Sequence, residues 1–257
     1  MGELREEQRR RALWLVIDRP AQRNALSFGL LDALRGAFAR ADSDEGTRAI
    51  CLTAEGDKAF CSGMDFTAAT QADPAAAQEG RRAYAGLLAD LARLGKPVVA
   101  SVNGAVMGGG MGLLAACDLA IAADDARFGT PEVDVGLFPY MALAPLSRCL
   151  GRRAALELML TGRKIDAAEA RAIGLVNEVV PRTMLAQRTS ELLETLCQKS
   201  PVALRLGRRA FYATQDLHYE AQLEALCEQL SLNAQAGDAA EGVAAFLEKR
   251  KPDFKGS

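Results

Sequence analysis

Histidine is almost absent from this sequence: His218 is the only one in 257 residues. It falls in a stretch predicted to be helical and belongs to no catalytic pattern. The six cysteines, Cys51, Cys61, Cys117, Cys149, Cys197 and Cys227, include no C-x-x-C pair, which excludes a zinc ribbon or a dithiol redox motif. With no His/Cys cluster at ligand spacing, no metal site is expected. Most of the cysteines have apolar neighbours and read as small core residues in a reducing compartment. An excess of one charge is missing too. The 31 basic and 33 acidic side chains leave a net −2, whereas a nucleic-acid partner normally demands a basic excess. The basic clusters Arg9–Arg11 and Arg205–Arg209 read as a solvated helix face or a ragged terminus. No apolar run approaches the roughly 20 residues that cross a bilayer, so no membrane partner is expected. The opening stretch MGELREEQRR is too charged for a secretory signal. The expected location is the cytoplasm.

What is present is ample apolar material, 49% of residues against 25% charged, enough for one large domain with an appendage. Strands are predicted at Ala12–Ile17, Ala49–Thr53, Val98–Val102 and Leu119–Ala123, with a short extended piece at Arg127–Gly129. Ser27 reads as the N-cap of a helix whose stripe is Leu30, Leu31, Leu34 and Phe38. A helix opens at Pro74 and is broken by Gly95-Lys96-Pro97. From about Met141 helices follow one another, at 141–149, 152–160, 166–172, 182–198, 201–213 and 216–235, with Glu178–Val180 as the one strand between them. This is an α/β core with a helical extension. Apolar positions such as Leu223, Leu226, Cys227 and Leu230 exceed what one small domain covers, which suggests a subunit interface.

Two glycine-containing turns carry the chemistry: Lys58-Ala59-Phe60-Cys61-Ser62-Gly63-Met64-Asp65, and Val102-Asn103-Gly104-Ala105-Val106-Met107-Gly108-Gly109-Gly110-Met111-Gly112. Three glycines directly before a helix let the backbone approach a ligand and favour an anion or a developing oxyanion. A phosphate-binding Walker loop is excluded, because G-K-[ST] is missing. Gly110-x-Gly112-x-x-Ala115 fits the loose dinucleotide fingerprint of an NAD-dependent oxidoreductase. That reading needs a longer helix and an acid about 20 residues on; here the helix ends by Cys117-Asp118 and Asp124 comes too soon. A purely structural turn, packing helix on sheet, is the other alternative.

The order of the segments bears on this choice. Arg19-Pro20-Ala21-Gln22-Arg23-Asn24-Ala25-Leu26 resembles the "RP…NAL" segment of the enoyl-CoA hydratase/isomerase (crotonase) family. Lys58 to Asp65 resembles its "KAFxxGxD", Val102 to Gly112 its "VNGxxxGGG", and Phe128-Gly129-Thr130-Pro131-Glu132 its "FGxPE". Thr161-Gly162-Arg163, Ala172 to Asn177 and Phe246 to Lys251 are similar to later segments, so the resemblance runs over nearly the whole chain. It implies a crotonase-like spiral of β-β-α units, with an α/β core over 1–195 and a helical trimerisation region over 196–257. It implies an acyl-CoA thioester substrate, no separate cofactor since coenzyme A is part of the substrate, and a homo-trimer or hexamer. It assigns the two oxyanion-hole N–H groups to Met64 and Gly109, and coenzyme A contacts to Arg23, Ala25, Lys58, Ser62 and Asp65. Phe246 and Lys249 match positions that reach a neighbouring subunit's coenzyme A. The segment from Phe66 to Leu88 is expected to line the acyl pocket.

Glu132 is the acid/base candidate: it follows Pro131, lies between apolar residues, and an apolar cleft would raise its pKa toward neutrality. The family's hydratases carry a second glutamate three residues after the middle glycine; here that position is Gly112. One carboxylate can take a proton from a CoA thioester and return it elsewhere, so an enoyl-CoA isomerase is favoured over a hydratase, and Gly112→Glu is expected to add hydration. Asp134 would share a face with Glu132 if the segment were extended, and Tyr140 is a further polar candidate. A crotonase-like scaffold that binds acyl-CoA without turnover is the remaining alternative.

Overall fold

The computed structural model describes residues 2–65 and 73–257. The runs of apolar residues form one six-stranded sheet. β1 (Leu4–Arg9) is antiparallel to β2 (Ala12–Ile17), after which β3 (Ala49–Ala54), β5 (Val98–Val102), β7 (Leu119–Ala123) and β10 (Glu178–Val180) follow in parallel. Parallel strands covered on both faces read as unbroken apolar runs. The register pairs Trp14 with Cys51 and Cys51 with Val99. This row faces Leu193 and its neighbours on helix α7 (Leu185–Cys197), while the alternate row, with Leu15, Leu52 and Ala100, faces the main core. Helix α1 (Phe28–Ser43) covers that second face. Ser27 caps it by accepting from Leu30 N at 3.0 Å, and Leu30, Leu31, Leu34 and Phe38 are all buried.

A second, four-stranded sheet holds β4 (Ala59–Cys61), β6 (Ala105–Met107), β8 (Arg127–Gly129) and β9 (Lys164–Asp166). The chain alternates between the two sheets: β3 then β4, β5 then β6, β7 then β8. Helix α2 (Pro74–Arg93) and helix α3 (Gly109–Ala115) return it to the first sheet after each of the first two pairs. This is the β-β-α spiral, and it places the ends of β4, β6 and β8 side by side.

Five features differ from the sequence expectation. β1 is a strand, not a ragged terminus, and Arg9–Arg11 lie at its hairpin turn, with Arg9 stacked 4.0 Å over the Trp14 ring. The first glycine-containing turn is not wholly a turn, since Ala59–Cys61 is strand β4. Three cysteines, 51, 61 and 117, are buried, but Cys149 and Cys227 are exposed and Cys197 is half-buried. His218 precedes rather than enters its helix. Arg208 is not solvated: it donates to Asp118 Oδ2 at 2.8 Å and to the carbonyls of Leu91 and Leu94, while Tyr212 donates to the other Asp118 oxygen. That buried network ties helix α8 (Pro201–Thr214) to the ends of α2 and β5.

Helices α4 (Tyr140–Cys149), α5 (Arg152–Thr161) and α6 (Ala167–Ala172) lie before α7; α9 (Tyr219–Ala234) and α10 (Gly237–Leu247) come after α8. Among the described residues, no helix is long and apolar enough to cross a membrane.

Candidate active site

The site forms where β4 and β6 run out, and it is built by backbone meeting backbone. Gly63 has φ +98°, and a Cβ there would stand 3.0 Å from Met107 O and 3.1 Å from Gly109 N. A Cβ on Gly110 would meet Cys61 O at 2.5 Å. No residue with a side chain fits either position, which is the physical content of the glycines in both motifs. Leu26 makes an isolated parallel bridge to Met64: Leu26 N donates to Gly63 O at 2.8 Å and Asp65 N to Leu26 O at 3.0 Å. In such a bridge the flanking residues turn toward the partner, so the Met64 N–H points away from Leu26. Gly109 opens α3, and the N–H of a first helical residue has no partner inside the helix. A Cβ on Gly109 would lie 3.5 Å from Met64 N, so the two N–H groups border one space.

Glu132 reaches the same place from β8. Thr130 anchors the turn by donating its hydroxyl to Leu158 O at 2.9 Å. Pro131 then starts a 3-10 helix over Pro131–Val135, and Glu132 Oε1 comes to 3.0 Å from where a Gly108 Cβ would stand. Its other oxygen, Oε2, is buried and has no hydrogen-bond partner among the described residues. Burial pushes the Glu132 carboxyl pKa up. An unpaired buried carboxylate oxygen is costly to keep, and it is the form a proton acceptor takes before its substrate arrives.

Tyr84, on α2, completes the surroundings. It is fully buried, its hydroxyl donates to Gly109 O, and its ring carbon Cζ lies 3.6 Å from the Gly109 Cβ position. Burial, the Cys61 thiol and the nearby Glu132 charge hold its pKa well above the usual phenol value, so the hydroxyl keeps its proton. Nothing in the sequence motifs marks this residue; the only sign is a tyrosine at a stripe position of an otherwise alanine-rich helix.

The residues expected near coenzyme A gather on one rim. Ser62 N donates to Arg23 O at 3.2 Å, Ala25 is buried beside them, and the Lys58 side chain is exposed while its carbonyl accepts from Ala105 N at 3.1 Å. Asn24, not Arg23, is the buried member of its motif: it donates to Glu55 O at 3.0 Å and Ala59 O at 2.7 Å and accepts from Arg19 N at 2.9 Å. Asp65 is ion-paired with Arg19 at 3.0 Å, both side chains largely buried.

Asp134 does not join Glu132. The segment is a 3-10 helix rather than extended, and the Asp134 carboxylate lies 3.2 Å from the Gly162 Cβ position instead. Nor does Gly112 have room for a second acid. A Cβ there would run into the Tyr84 hydroxyl and stand 2.9 Å from Ala142 Cα, so Gly112→Glu cannot simply add a carboxylate. Tyr140 is exposed and packs on Phe138 at 5.3 Å between ring centres. Phe246 and Lys249 are exposed at the end of α10 and make no hydrogen bond or ion pair with these residues, among those described. Of the segment expected to line an acyl pocket, residues 66–72 lie outside the described residues. Ala85 and Leu88, from its far end, line a cavity of about 910 Å³ between α2, α3, α4 and α8, together with Ala115, Met141 and Phe211.

A two-sheet β-β-α spiral with paired glycine turns and a glutamate after β8 defines a class. The family model for enoyl-CoA hydratase/isomerase matches residues 10–257, and the chain belongs to that family of enzymes. It is 34% identical to the 2,3-dehydroadipyl-CoA hydratase of Escherichia coli (strain K12), over 100% of both chains. Among solved structures it is similar to the enoyl-CoA hydratase from Bacillus anthracis, at 30% identity and TM-score 0.96 with both chains fully covered. It is also similar to human enoyl coenzyme A hydratase domain-containing protein 3, at 30% identity and TM-score 0.94, covering 98% of this chain and 100% of that one.

Proposed function

We propose that this enzyme moves the double bond of an enoyl-CoA thioester, with Glu132 as the single acid/base and the Met64 and Gly109 N–H groups as its oxyanion hole. The observation that carries the reading is the buried, unpartnered Glu132 Oε2 beside a Gly112 position with no room for a second acid. Glu132 takes a proton from C2 of a 3-enoyl thioester. The C–H electron pair forms the C1=C2 bond of a dienolate, and charge moves to the thioester oxygen, where the two N–H groups stabilise it. Removing one such donor typically costs about 2.7–4 kcal/mol. Glu132 then delivers the same proton to C4 as the C2=C3 bond forms and the carbonyl is restored. One proton leaves and one returns, so neither water nor a cofactor enters the balance.

Coenzyme A is assigned to the rim of Arg23, Ala25, Lys58, Ser62 and Asp65. Phe246 and Lys249 are assigned to the coenzyme A of a neighbouring subunit in a trimer or hexamer. The apolar cavity one helical turn past Tyr84 and Gly112 is assigned to the acyl chain. Hydration is the second reading. The name of the Escherichia coli relative, a hydratase similar over the full length, favours it, but it requires a second proton-bearing group that Asp134 is turned away from supplying. Both rates measured on one preparation test the assignment. Migration of a 3-enoyl-CoA double bond faster than hydration of crotonyl-CoA supports it, and the reverse order overturns it.

A further inference from the structure

Three consecutive glycines carry the Gly109 N–H, and glycine has the loosest backbone of any residue. An N–H that stabilises charge is worth most when its direction is fixed before the reaction. Something outside the triplet must therefore hold it. Gly108 is held by main chain: its N–H donates to Gly129 O at 2.9 Å and its carbonyl accepts from Met111 N at 2.9 Å. Gly109 opens α3, where its carbonyl takes the first helical bonds, and a side chain adds a second hold on the same oxygen. The Tyr84 hydroxyl donates to Gly109 O, the one side-chain hydrogen bond to the triplet among the described residues. The hydroxyl can reach that carbonyl only because position 112 has no side chain, since a Cβ there would occupy the place of the oxygen.

We propose that Tyr84 is a positioning residue for the Gly109 N–H, and that residue 112 is glycine in order to admit the Tyr84 hydroxyl. The missing second acid and the buried phenol are then one feature of this chain. The space another enzyme would give to a carboxylate is used here to brace the oxyanion hole. The hydroxyl fixes the Gly109 carbonyl, hence the 109–110 peptide plane, and through the shared Cα the direction of the N–H on the other side. This rests on the reading that Gly109 N–H binds the enolate oxygen.

A double-mutant cycle of Tyr84→Phe and Gly112→Ala separates this from a merely structural role. Each variant is titrated calorimetrically with acetoacetyl-CoA, which can bind as an enolate, and with butyryl-CoA, a saturated thioester that cannot readily do so. Tyr84→Phe should weaken acetoacetyl-CoA by about tenfold, the loss of one hydrogen bond's worth of order, with butyryl-CoA changed less than about twofold. Gly112→Ala should do the same by displacing the hydroxyl. In that affinity ratio the double variant should be no worse than Tyr84→Phe alone, because with the hydroxyl gone the methyl meets only Ala142, 2.9 Å away at Cα, a contact that bears on Tm and not on the ratio. An unchanged affinity ratio in Tyr84→Phe, or additive losses in the double variant, overturns the proposal; a fold-only role would lower Tm without moving the ratio. If Gly112→Ala does not fold, Tyr84→Phe decides alone. Hydrogen exchange at the Gly109 amide of the ligand-free protein provides a second arm: it should speed up in Tyr84→Phe, and wild-type exchange overturns the tether. Should wild type itself not prefer acetoacetyl-CoA, the enolate reading fails, and the exchange arm still judges the tether.

Discussion

Helices α1 and α9 each span sixteen residues and each carry nine drawn from Ala, Leu, Phe, Tyr and Cys. In α1 six residues are buried; in α9 none is. Leu223 and Leu230 stand 50% and 67% exposed. The two helices therefore differ in what lies opposite them, not in composition. α1 faces a sheet that its own chain supplies. α9 presents a helical stripe in which Leu223, Cys227 and Leu230 are exposed and Leu226 is half-buried, and Phe246 and Leu247 on α10 are exposed as well. The core thus closes within the chain, while the helical end keeps an exposed apolar face, which is the basis for proposing a trimer or hexamer.

That contrast breaks most sharply at Glu132. Glu132→Gln should lower kcat for double-bond migration by roughly 10²–10⁴-fold, the usual worth of a positioned acid/base, and leave CoA-thioester affinity and oligomeric state as they are. A loss in kcat with binding retained marks a group used in the transition state, and stopped-flow rates alongside calorimetry read both. Full activity in the glutamine variant would sink the single-base mechanism. Gly110→Ala comes next. Its Cβ would sit 2.5 Å from Cys61 O, main chain that can yield only by opening β4 from α3. We expect roughly 1–3 kcal/mol lost from core stability in a denaturant titration, and wild-type stability would mean that the two turns are not in backbone contact.

From the other side, Leu223→Asp with Leu230→Asp should act on assembly, and through it on the coenzyme A contacts proposed for a neighbouring subunit's Phe246 and Lys249. Each leucine buried at an interface contributes roughly 1.5–3 kcal/mol, so the doubly substituted chain should elute and scatter light as a monomer while keeping the circular dichroism of the fold. A wild-type protein that is already monomeric at micromolar concentration would remove the reason for α9's exposed stripe.

Four strands of the first sheet, β2, β3, β5 and β7, were open to reading because they are five or six residues long and largely apolar, and α1 because its cap and stripe agree. The second sheet was hidden. β4, β6 and β9 are three residues each, too short for any periodicity, and are held by backbone approach at glycines rather than by side-chain pattern. β1, with sequence LREEQR, is an edge strand and looks like a charged tail. α10 starts at Gly237 and was legible only as a motif at its far end. The motifs located Gly63, Gly109 and Glu132, since each is local in sequence. Tyr84 escaped because its importance lies in a contact with Gly109 and Gly112, more than twenty residues away, and no local pattern encodes which face of α2 turns inward. Asp134 was a candidate only on the condition of an extended segment, and the 3-10 helix that Pro131 starts removes that condition.

The smallest expected effect is on stability, and it belongs to the core side of the comparison. Burial raises the Glu132 pKa in the folded chain above the ordinary value of about 4.3 that the unfolded chain retains. Between those two values the folded state binds the extra proton, so stability falls as pH rises through that window and the loss is complete above the folded pKa. Below the unfolded pKa both states are protonated and the group contributes no difference. Glu132→Gln carries no charge at any pH, so above the window it should be the more stable protein, by roughly 0.5–2 kcal/mol, the usual gain when a strained functional group is relieved. That corresponds to a Tm higher by roughly 2–4 °C for each kcal/mol in a chain of this size. In acid, below the unfolded pKa, the two melting curves should draw together. The rate of double-bond migration by wild type should rise through the same folded pKa, since only the carboxylate accepts a proton. The α9 double aspartate variant should keep the pH midpoint of that profile when measured at saturating CoA thioester, since α9 lies outside the surroundings of Glu132. Coincident Tm values for wild type and Glu132→Gln at neutral pH would mean that the carboxylate is solvated and its burial without energetic consequence.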